Sequence, residues 1–208
     1  MKVIYKDIEF NFETHPRLFS PNQLDSGSKL LLDNITLSEK SKNIMDLGCG
    51  WGAVGIILAK LHPDKFFYLV DNDPLAIEIA KKNIVLNGIK NAKVFKADVT
   101  YSTLPFKVDV VVSNPPWDKN QSVIPALVKF SYDHLNPPGD LFVVINQSFR
   151  TEDQMEKIFG QVEKIAETLP YKILHSCKGD IPRNDLLEYT KNILVTKQIS
   201  LDPLKPLP

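Results

Sequence analysis

The sequence predicts an α/β protein: a doubly wound, mostly parallel, seven-stranded sheet with an antiparallel C-terminal strand and an N-terminal hairpin. Three observations carry this expectation. Short apolar segments such as Asn43 to Leu47 and Val108 to Ser113 alternate with segments of helical period, the pattern of parallel strands covered on both faces. A glycine-rich turn, Gly48-Cys49-Gly50-Trp51-Gly52, stands between the first such strand and the helix after it. Start and stop signals bracket the helices, as where Pro74 opens a segment that Asn87-Gly88 closes, the expected asymmetry of proline at the start and glycine past the end.

Each element follows in order. Met1 to Phe12 alternates loosely and reads as a hairpin with Lys6-Asp7 near its turn. Leu24 to Ile35 reads as a helix, with Asp25 or Ser26 as its cap and Leu30, Leu31 and Leu32 on its apolar face. Asn43 to Leu47 is a strand, Ala53 to Leu61 a helix stopped near Pro63, and Phe66 to Val70 a strand. Pro74 to Leu86 is a helix with a buried stripe of Ala76, Ile77, Ala80, Ile84 and Val85. Ala92 to Ala97 and Val108 to Ser113 are strands, Ser122 to Leu135 is a helix, and Asp140 to Ile145 is a strand entered through Pro137-Pro138-Gly139.

Toward the C-terminus Met155, Ile158, Phe159, Val162, Ile165, Ala166 and Leu169 follow helical spacing, so the expectation is one helix from Thr151 to Leu169. Gly160 inside it costs about 1 kcal/mol of helix propensity. A competing reading ends the helix near Gly160 and makes Gln161 to Leu169 a strand. Tyr171 to Ser176 and Tyr189 to Thr196 are expected as a final antiparallel pair, Gly179 to Asp185 as a loop, and Leu201 to Pro208 as a loosely docked tail. Residues 1–35 form a hairpin and helix within the same domain as 36–197, and 198–208 is the tail.

Composition narrows the class. A chain of 208 residues fits one domain with a sizeable core. Lys plus Arg and Asp plus Glu both count 25, so charge supplies no positive argument for nucleic acid. Cys49 and Cys177 are too few for a disulfide framework. Lys2, Lys6, Asp7 and Glu9 leave no signal-peptide stretch, and no apolar run reaches the roughly 20 residues of a membrane span. The expectation is a cytoplasmic protein. His15, His62, His134 and His175 are scattered without metal-ligand spacing, and no metal is expected.

The glycine turn admits two ligands. Gly48, Gly50 and Ala53 satisfy a dinucleotide fingerprint, and Asp71 at the end of the second parallel strand is the ribose-binding acid that either ligand needs. Asp46, ahead of the first glycine, favours S-adenosylmethionine: a carboxylate there opposes a pyrophosphate but suits the ammonium of an amino-acid moiety. Asn72 follows Asp71, and Asp73 reads as a cap for the helix after it, with a metal pair of Asp71 and Asp73 lacking a visible third ligand. Asp98 is placed to accept from an adenine amine or to close a turn. Phe95 and Val99 flank the adenine ring or belong to the core. Cys49 touches the cofactor or simply packs, and Trp51 packs under the loop.

Asn114-Pro115-Pro116-Trp117 follows the fourth parallel strand. Two prolines fix the backbone and remove two N–H donors, so the Asn114 carboxamide oxygen and the Pro115 carbonyl are free to accept from one NH2 group. Trp117 offers a face for a flat ring. An exocyclic amine on a base, or an amide nitrogen, has a delocalised lone pair. Two acceptors on its hydrogens draw it toward tetrahedral geometry. In-line alignment with an activated methyl then suffices, with no strong general base.

Together these residues resemble the class I methyltransferases of the "methyltransferase small domain" group, which includes ribosomal-RNA guanine-N2 methyltransferases and small archaeal relatives. The glutamine-N5 methyltransferases of release factors and the adenine-N6 enzymes are more distantly similar. The resemblance covers roughly residues 17–176. Its most group-specific segment is Leu18-Phe19-Ser20-Pro21 followed by Leu24-Asp25-Ser26-Gly27-Ser28-Lys29-Leu30-Leu31. It implies a Rossmann-like methyltransferase sheet and S-adenosylmethionine as cofactor. It also implies that Asp46, Gly48, Gly50, Asp71 and Asp98 hold the cofactor and that Asn114 to Trp117 hold the target amine. Trp117 stands where Phe or Tyr is commoner, and no counterpart of the extra N-terminal domain of the larger guanine-N2 enzymes is expected.

The expected function is N-methylation of an exocyclic base amine, guanine N2 or adenine N6, with RNA or a ribosomal particle as partner; Lys119, Arg150, Lys178 and Arg183 either meet phosphates at the rim or are ordinary solvated surface. Methylation of a protein glutamine, or a non-catalytic cofactor-binding subunit, are the alternatives.

Overall fold

The computed structural model describes residues 1–116 and 123–179. The chain begins with β1 (Lys2–Tyr5) and β2 (Ile8–Asn11), continues through α1 (Ser26–Asn34), and then alternates: β3 (Asn43–Leu47), α2 (Ala53–Leu61), β4 (Phe66–Asp71), α3 (Pro74–Leu86), β5 (Ala92–Lys96), β6 (Val108–Ser113), α4 (Ile124–His134), β7 (Leu135–Asn146), α5 (Glu152–Phe159), β8 (Glu163–Thr168) and β9 (Tyr171–Lys178). β3 to β9 form one sheet in the order β5-β4-β3-β6-β7-β9-β8. β3 to β7 pair in parallel, while β9 runs antiparallel to both β7 and β8.

That order places the site. From β3 the chain winds outward through β4 and β5, then returns to the other side of β3 with β6 and β7. The winding reverses between β3 and β6. Ligands of open α/β sheets bind beyond the C-terminal strand ends at such a reversal. The glycine turn follows β3 and Asn114 follows β6, so both motifs open onto this point.

Helices cover both faces. On one side α2 and α3 pack over β3 to β5, with Ile44, Ile56, Ile57, Phe67 and Leu69 at its centre. On the other, Val111, Leu127, Val128, Val143 and Ile158 pack α4 and α5 onto β6 and β7. The hairpin turns through Lys6 and Asp7, both at positive φ (47° and 60°), as a two-residue hairpin turn matching strand twist requires. Its inner residues Val3, Tyr5, Phe10 and Phe12 join the α2 side of the core.

Two expectations are corrected. The helix predicted from Thr151 to Leu169 ends at Phe159, where Gly160 takes a left-handed φ of 86° and donates its N–H to Glu156 O. The following Glu163–Thr168 is β8, close to the competing reading. β8 is an edge strand paired only with β9, so its face alternation is weak and Ile165 and Ala166 pass for helical spacing. The stripe of α3 is also shifted: Val85 is 79% exposed, and Ile79 and Asn83 are buried in its place. The predicted strand Tyr189 to Thr196, the loop beyond Gly179, the tail, and Trp117, Lys119 and Arg183 lie outside the described residues.

Candidate active site

A cavity of about 340 Å³ lies at the reversal between β3 and β6. Its floor is Asp46 and Leu47, the ends of β3, and its near wall is the turn Gly48-Cys49-Gly50. Gly48 and Gly50 hold φ of 76° and 55°, and a Cβ on either would meet nothing within 4 Å. These glycines therefore serve conformation and leave open space above the backbone. Gly55 serves packing: a Cβ there would come within 2.9 Å of Asp46 Oδ2 and closer still to Leu69. This close approach lets the Gly55 N–H, in the first turn of α2, donate to Asp46 Oδ2 at 2.8 Å.

Asp46 is buried, with 2% exposure. Burial pushes its carboxyl up to about 7; the Gly55 N–H opposes this, and the nearby Asp71 charge adds to the rise. The Cys49 thiol, beside it in the wall, is also pushed up by burial and by these two acids. Asp71 ends β4 and staples two loops. Its Oδ2 accepts from Gly50 N at 2.8 Å and its Oδ1 from Asp73 N at 2.9 Å. Each oxygen keeps a second lone pair for a ligand hydroxyl. Asp73 caps α3, accepting from Leu75 N, so Asp71 and Asp73 are engaged with backbone.

Asn72, Ala97 and Val99 line the same end of the cavity. Asp98 does not line it. Thr100 donates to Asp98 Oδ1 through its backbone N–H, and Asn72 Nδ2 donates to Oδ2. Its place is therefore behind Asn72, shaping the loop. Phe95 packs against Tyr68 and Phe106 on the α4 side of the core.

The far wall is Asn114, Pro115 and Pro116 with Val123 and Leu127. Asn114 Nδ2 donates to Asp25 Oδ2 at 2.8 Å and to Ser28 Oγ at 2.9 Å. A carboxylate has no proton to give, so the amide nitrogen must face it. The carboxamide oxygen is left buried with no hydrogen-bond partner among the described residues, and Asn114, Asp25 and Ser28 all line the cavity. Gly27 makes this approach possible: a Cβ there would meet Asp25 Oδ2 at 2.9 Å and Val144 Cγ1 at 2.9 Å.

Sequence reasoning missed the mouth. Arg17 and Phe19 line the cavity, and Phe19 is half-exposed. Trp51 Nε1 donates to Phe19 O at 3.0 Å, and the Trp51 ring meets Phe12 edge-on at 4.9 Å. The glycine turn thus holds the segment that forms the mouth. The signal lay in the group-specific stretch from Leu18 onward. Lys178, expected at the rim, is a structural residue: it pairs with the beginning of β7, and its Nζ donates to Tyr132 O and Leu135 O at the opposite end of the sheet. Arg150 follows β7 on the cavity end but does not line it.

The donor set fits S-adenosylmethionine. Asp25, Asp46 and Asp71 make the walls acidic, which suits a ligand bearing ammonium and sulfonium charges and opposes a pyrophosphate. The buried Asn114 oxygen has no hydrogen-bond partner among the described residues.

Comparison with known proteins bears on this geometry. The methyltransferase small domain family matches residues 9–175. A protein of Bacillus subtilis described as uncharacterized YbxB is 28% identical over 174 residues, covering 82% of this chain and 87% of that one. Ribosomal RNA small subunit methyltransferase C of Escherichia coli is 34% identical over 165 residues, covering 77% of this chain and 47% of that protein. Among solved structures, the T. thermophilus 16S rRNA N2 G1207 methyltransferase in complex with AdoMet and guanosine superposes with a TM-score of 0.76 at 27% identity, over 86% of this chain and 50% of that one. A methyltransferase of Pyrococcus furiosus shares the fold at a TM-score of 0.68 and 18% identity, over 82% of this chain and 89% of that one. The chain spans about half the length of the ribosomal-RNA relatives.

Proposed function

The chain belongs to the methyltransferase small domain family, which uses S-adenosylmethionine, and from that premise we propose that it methylates the exocyclic amine of a base in RNA, with guanine N2 of ribosomal RNA the first candidate. The observation that carries this reading is the Asn114 amide, fixed in the cavity wall by Asp25 and Ser28 with its buried oxygen left without a partner among the described residues. An unsatisfied buried acceptor is costly, and an incoming N–H relieves it.

The two halves of the cavity divide the work. Asp46 faces the ammonium of the cofactor, Asp71 takes the ribose hydroxyls, and Gly48, Cys49 and Gly50 admit the chain of the cofactor against the backbone. Asn72 and Val99 border the adenine. When bound, S-adenosylmethionine supplies an electrophilic methyl. Asn114 Oδ1 and the Pro115 carbonyl accept the two hydrogens of the target amine, turning its lone pair toward that methyl. Alignment is the main contribution. After transfer the amine sheds its extra proton to solvent, so no strong base is required. At the mouth Phe19 offers a ring for a base to stack on, worth about 1–3 kcal/mol in single-strand binding, and Arg17 offers a charge for phosphate. These two side chains favour a base in RNA over a protein amide. The curated ribosomal-RNA relatives support the same choice.

The test is transfer of labelled methyl from S-adenosylmethionine into extract of the host lacking this protein, separated into RNA and protein, with Asn114→Ala alongside. Label is expected in RNA, as N2-methylguanosine on nucleoside analysis, and is lost in the variant. Label confined to protein would replace this reading with amide methylation.

A further inference from the structure

Asp25 lies 89 residues before Asn114 in the chain, yet the two are hydrogen-bonded at 2.8 Å. It sits at the N-cap of α1, where its Oδ2 also accepts from Ser28 N at 3.0 Å. Its Oδ1 receives the Tyr171 hydroxyl at 3.4 Å. The carboxylate is buried and held from three elements: α1, the turn after β6, and β9. A capping role alone would need only the Ser28 contact.

The second contact has an electronic consequence. Both amide hydrogens of Asn114 are committed, one to a carboxylate and one to the Ser28 hydroxyl. Donation from an amide nitrogen shifts electron density toward the amide oxygen, and linked hydrogen bonds strengthen one another in a low-dielectric site. A charged acceptor does this more strongly than a neutral one. The oxygen that gains density is the buried one left without a partner among the described residues.

We propose that Asp25 is a positioning residue for methyl transfer: through the Asn114 amide it both fixes the direction of the Oδ1 acceptor and increases its strength toward the target amine. Ser28 completes the clamp by holding the second amide hydrogen. The inference rests on the assignment of Asn114 as the acceptor for that amine, and it holds whether the amine belongs to a base or an amide.

Asp25→Asn separates this role from capping. Asparagine caps a helix as well as aspartate does, and its oxygen can still accept from Asn114 Nδ2, but the charge is gone. The expected result is a fall in kcat of about tenfold, with KM, cofactor affinity and Tm close to the parent protein. Ser28→Ala falls less. In the Asn114→Ala background, Asp25→Asn is expected to slow the reaction no further, because its effect runs through the missing amide. An unchanged kcat in Asp25→Asn, or full additivity with Asn114→Ala, overturns the proposal. Failure of the wider reading is recognised separately, since the parent protein then labels no RNA; the cycle is run on whichever fraction the parent labels. The NMR signals of the Asn114 side-chain amide give a readout that needs no turnover. A downfield Nδ2 proton is expected in the parent and lost in Asp25→Asn, and an amide signal indifferent to the substitution also overturns the proposal.

Discussion

The two halves of the cavity are built by different means. The cofactor half is made within one local run: β3, a turn of three glycines and the first turn of α2, stapled to β4 by Asp71. Its proposed recognition groups are backbone, two acids and the open space above Gly48 and Gly50. The target half is made at long range. Asn114 is pinned by Asp25 and Ser28, and Phe19 is held by Trp51, contacts spanning 89, 86 and 32 residues. The first half is a property of the sheet, and the second of side chains that meet only once the sheet has formed. On the proposed assignment a common frame can keep its cofactor while its target changes, because the residues proposed to choose the target lie outside the turn proposed to hold the cofactor.

Substituting Asn114 breaks the comparison where the effect is largest. Asn114→Ala removes the bare acceptor and is expected to lower kcat by about 10²- to 10³-fold, the usual cost of losing one preorganised polar group at a reacting centre. Cofactor affinity, read by calorimetry, is expected to stay within about twofold, since no cofactor contact is touched. Loss of affinity with kcat retained would show that the two halves are not separate.

Asp46 tests the other half. Because burial lifts its carboxyl to about 7, the unliganded protein takes up a proton there on moving below neutrality, and a cationic ligand must displace it. Cofactor affinity is expected to weaken about tenfold per pH unit below 7. Asp46→Asn binds about 10- to 100-fold more weakly at pH 7.5, the scale of a charge-assisted hydrogen bond, and its affinity is flat with pH. The sign for stability is opposite. A carboxyl with a raised folded-state value binds more protons folded than unfolded, so the unliganded protein loses stability as pH rises from about 4 to 7. Asp46→Asn removes that loss, and its Tm without ligand at pH 8 is expected to be no lower than that of the parent. A variant that loses both affinity and Tm would make Asp46 a structural residue instead.

What was legible in the sequence follows the same division. The strands β3 and β6 and the helices α2 and α3 were readable to their observed ends because buried parallel strands are mostly apolar and the start and stop signals are local. That Asp46, Gly48, Gly50, Asp71 and Asn114 would gather at one place was readable because chemistry and spacing coincide within a few residues, and all five line the cavity. Asp25 was readable only as a cap, since its bond to Asn114 depends on α1 lying against β7 to β9. Asp98, read either as an acceptor for an adenine amine or as a turn aspartate, lies between two residues that line the cavity, Ala97 and Val99, and accepts from Thr100 and Asn72 in the turn. β8 was obscured because an edge strand buries neither face fully.

Trp51 is where the halves join, and it carries the smallest expected effect. It belongs to the glycine turn by sequence, yet its Nε1 serves Phe19 on the target side, while Asn83 holds its carbonyl at 2.8 Å from beneath. Trp51→Phe keeps a ring against Phe12 and loses only the indole donor. One neutral hydrogen bond contributes about 1 kcal/mol, so the segment bearing Arg17 and Phe19 is loosened without being released. The cost falls on the target, with KM for RNA raised about fivefold, kcat little changed because Asn114 is untouched, and cofactor affinity close to the parent because Gly48, Gly50 and Asp71 keep their bonds. If Trp51→Phe instead weakened the cofactor and spared the RNA, the mouth would owe its position to the Phe12 packing, and the glycine turn would serve one half of the cavity alone.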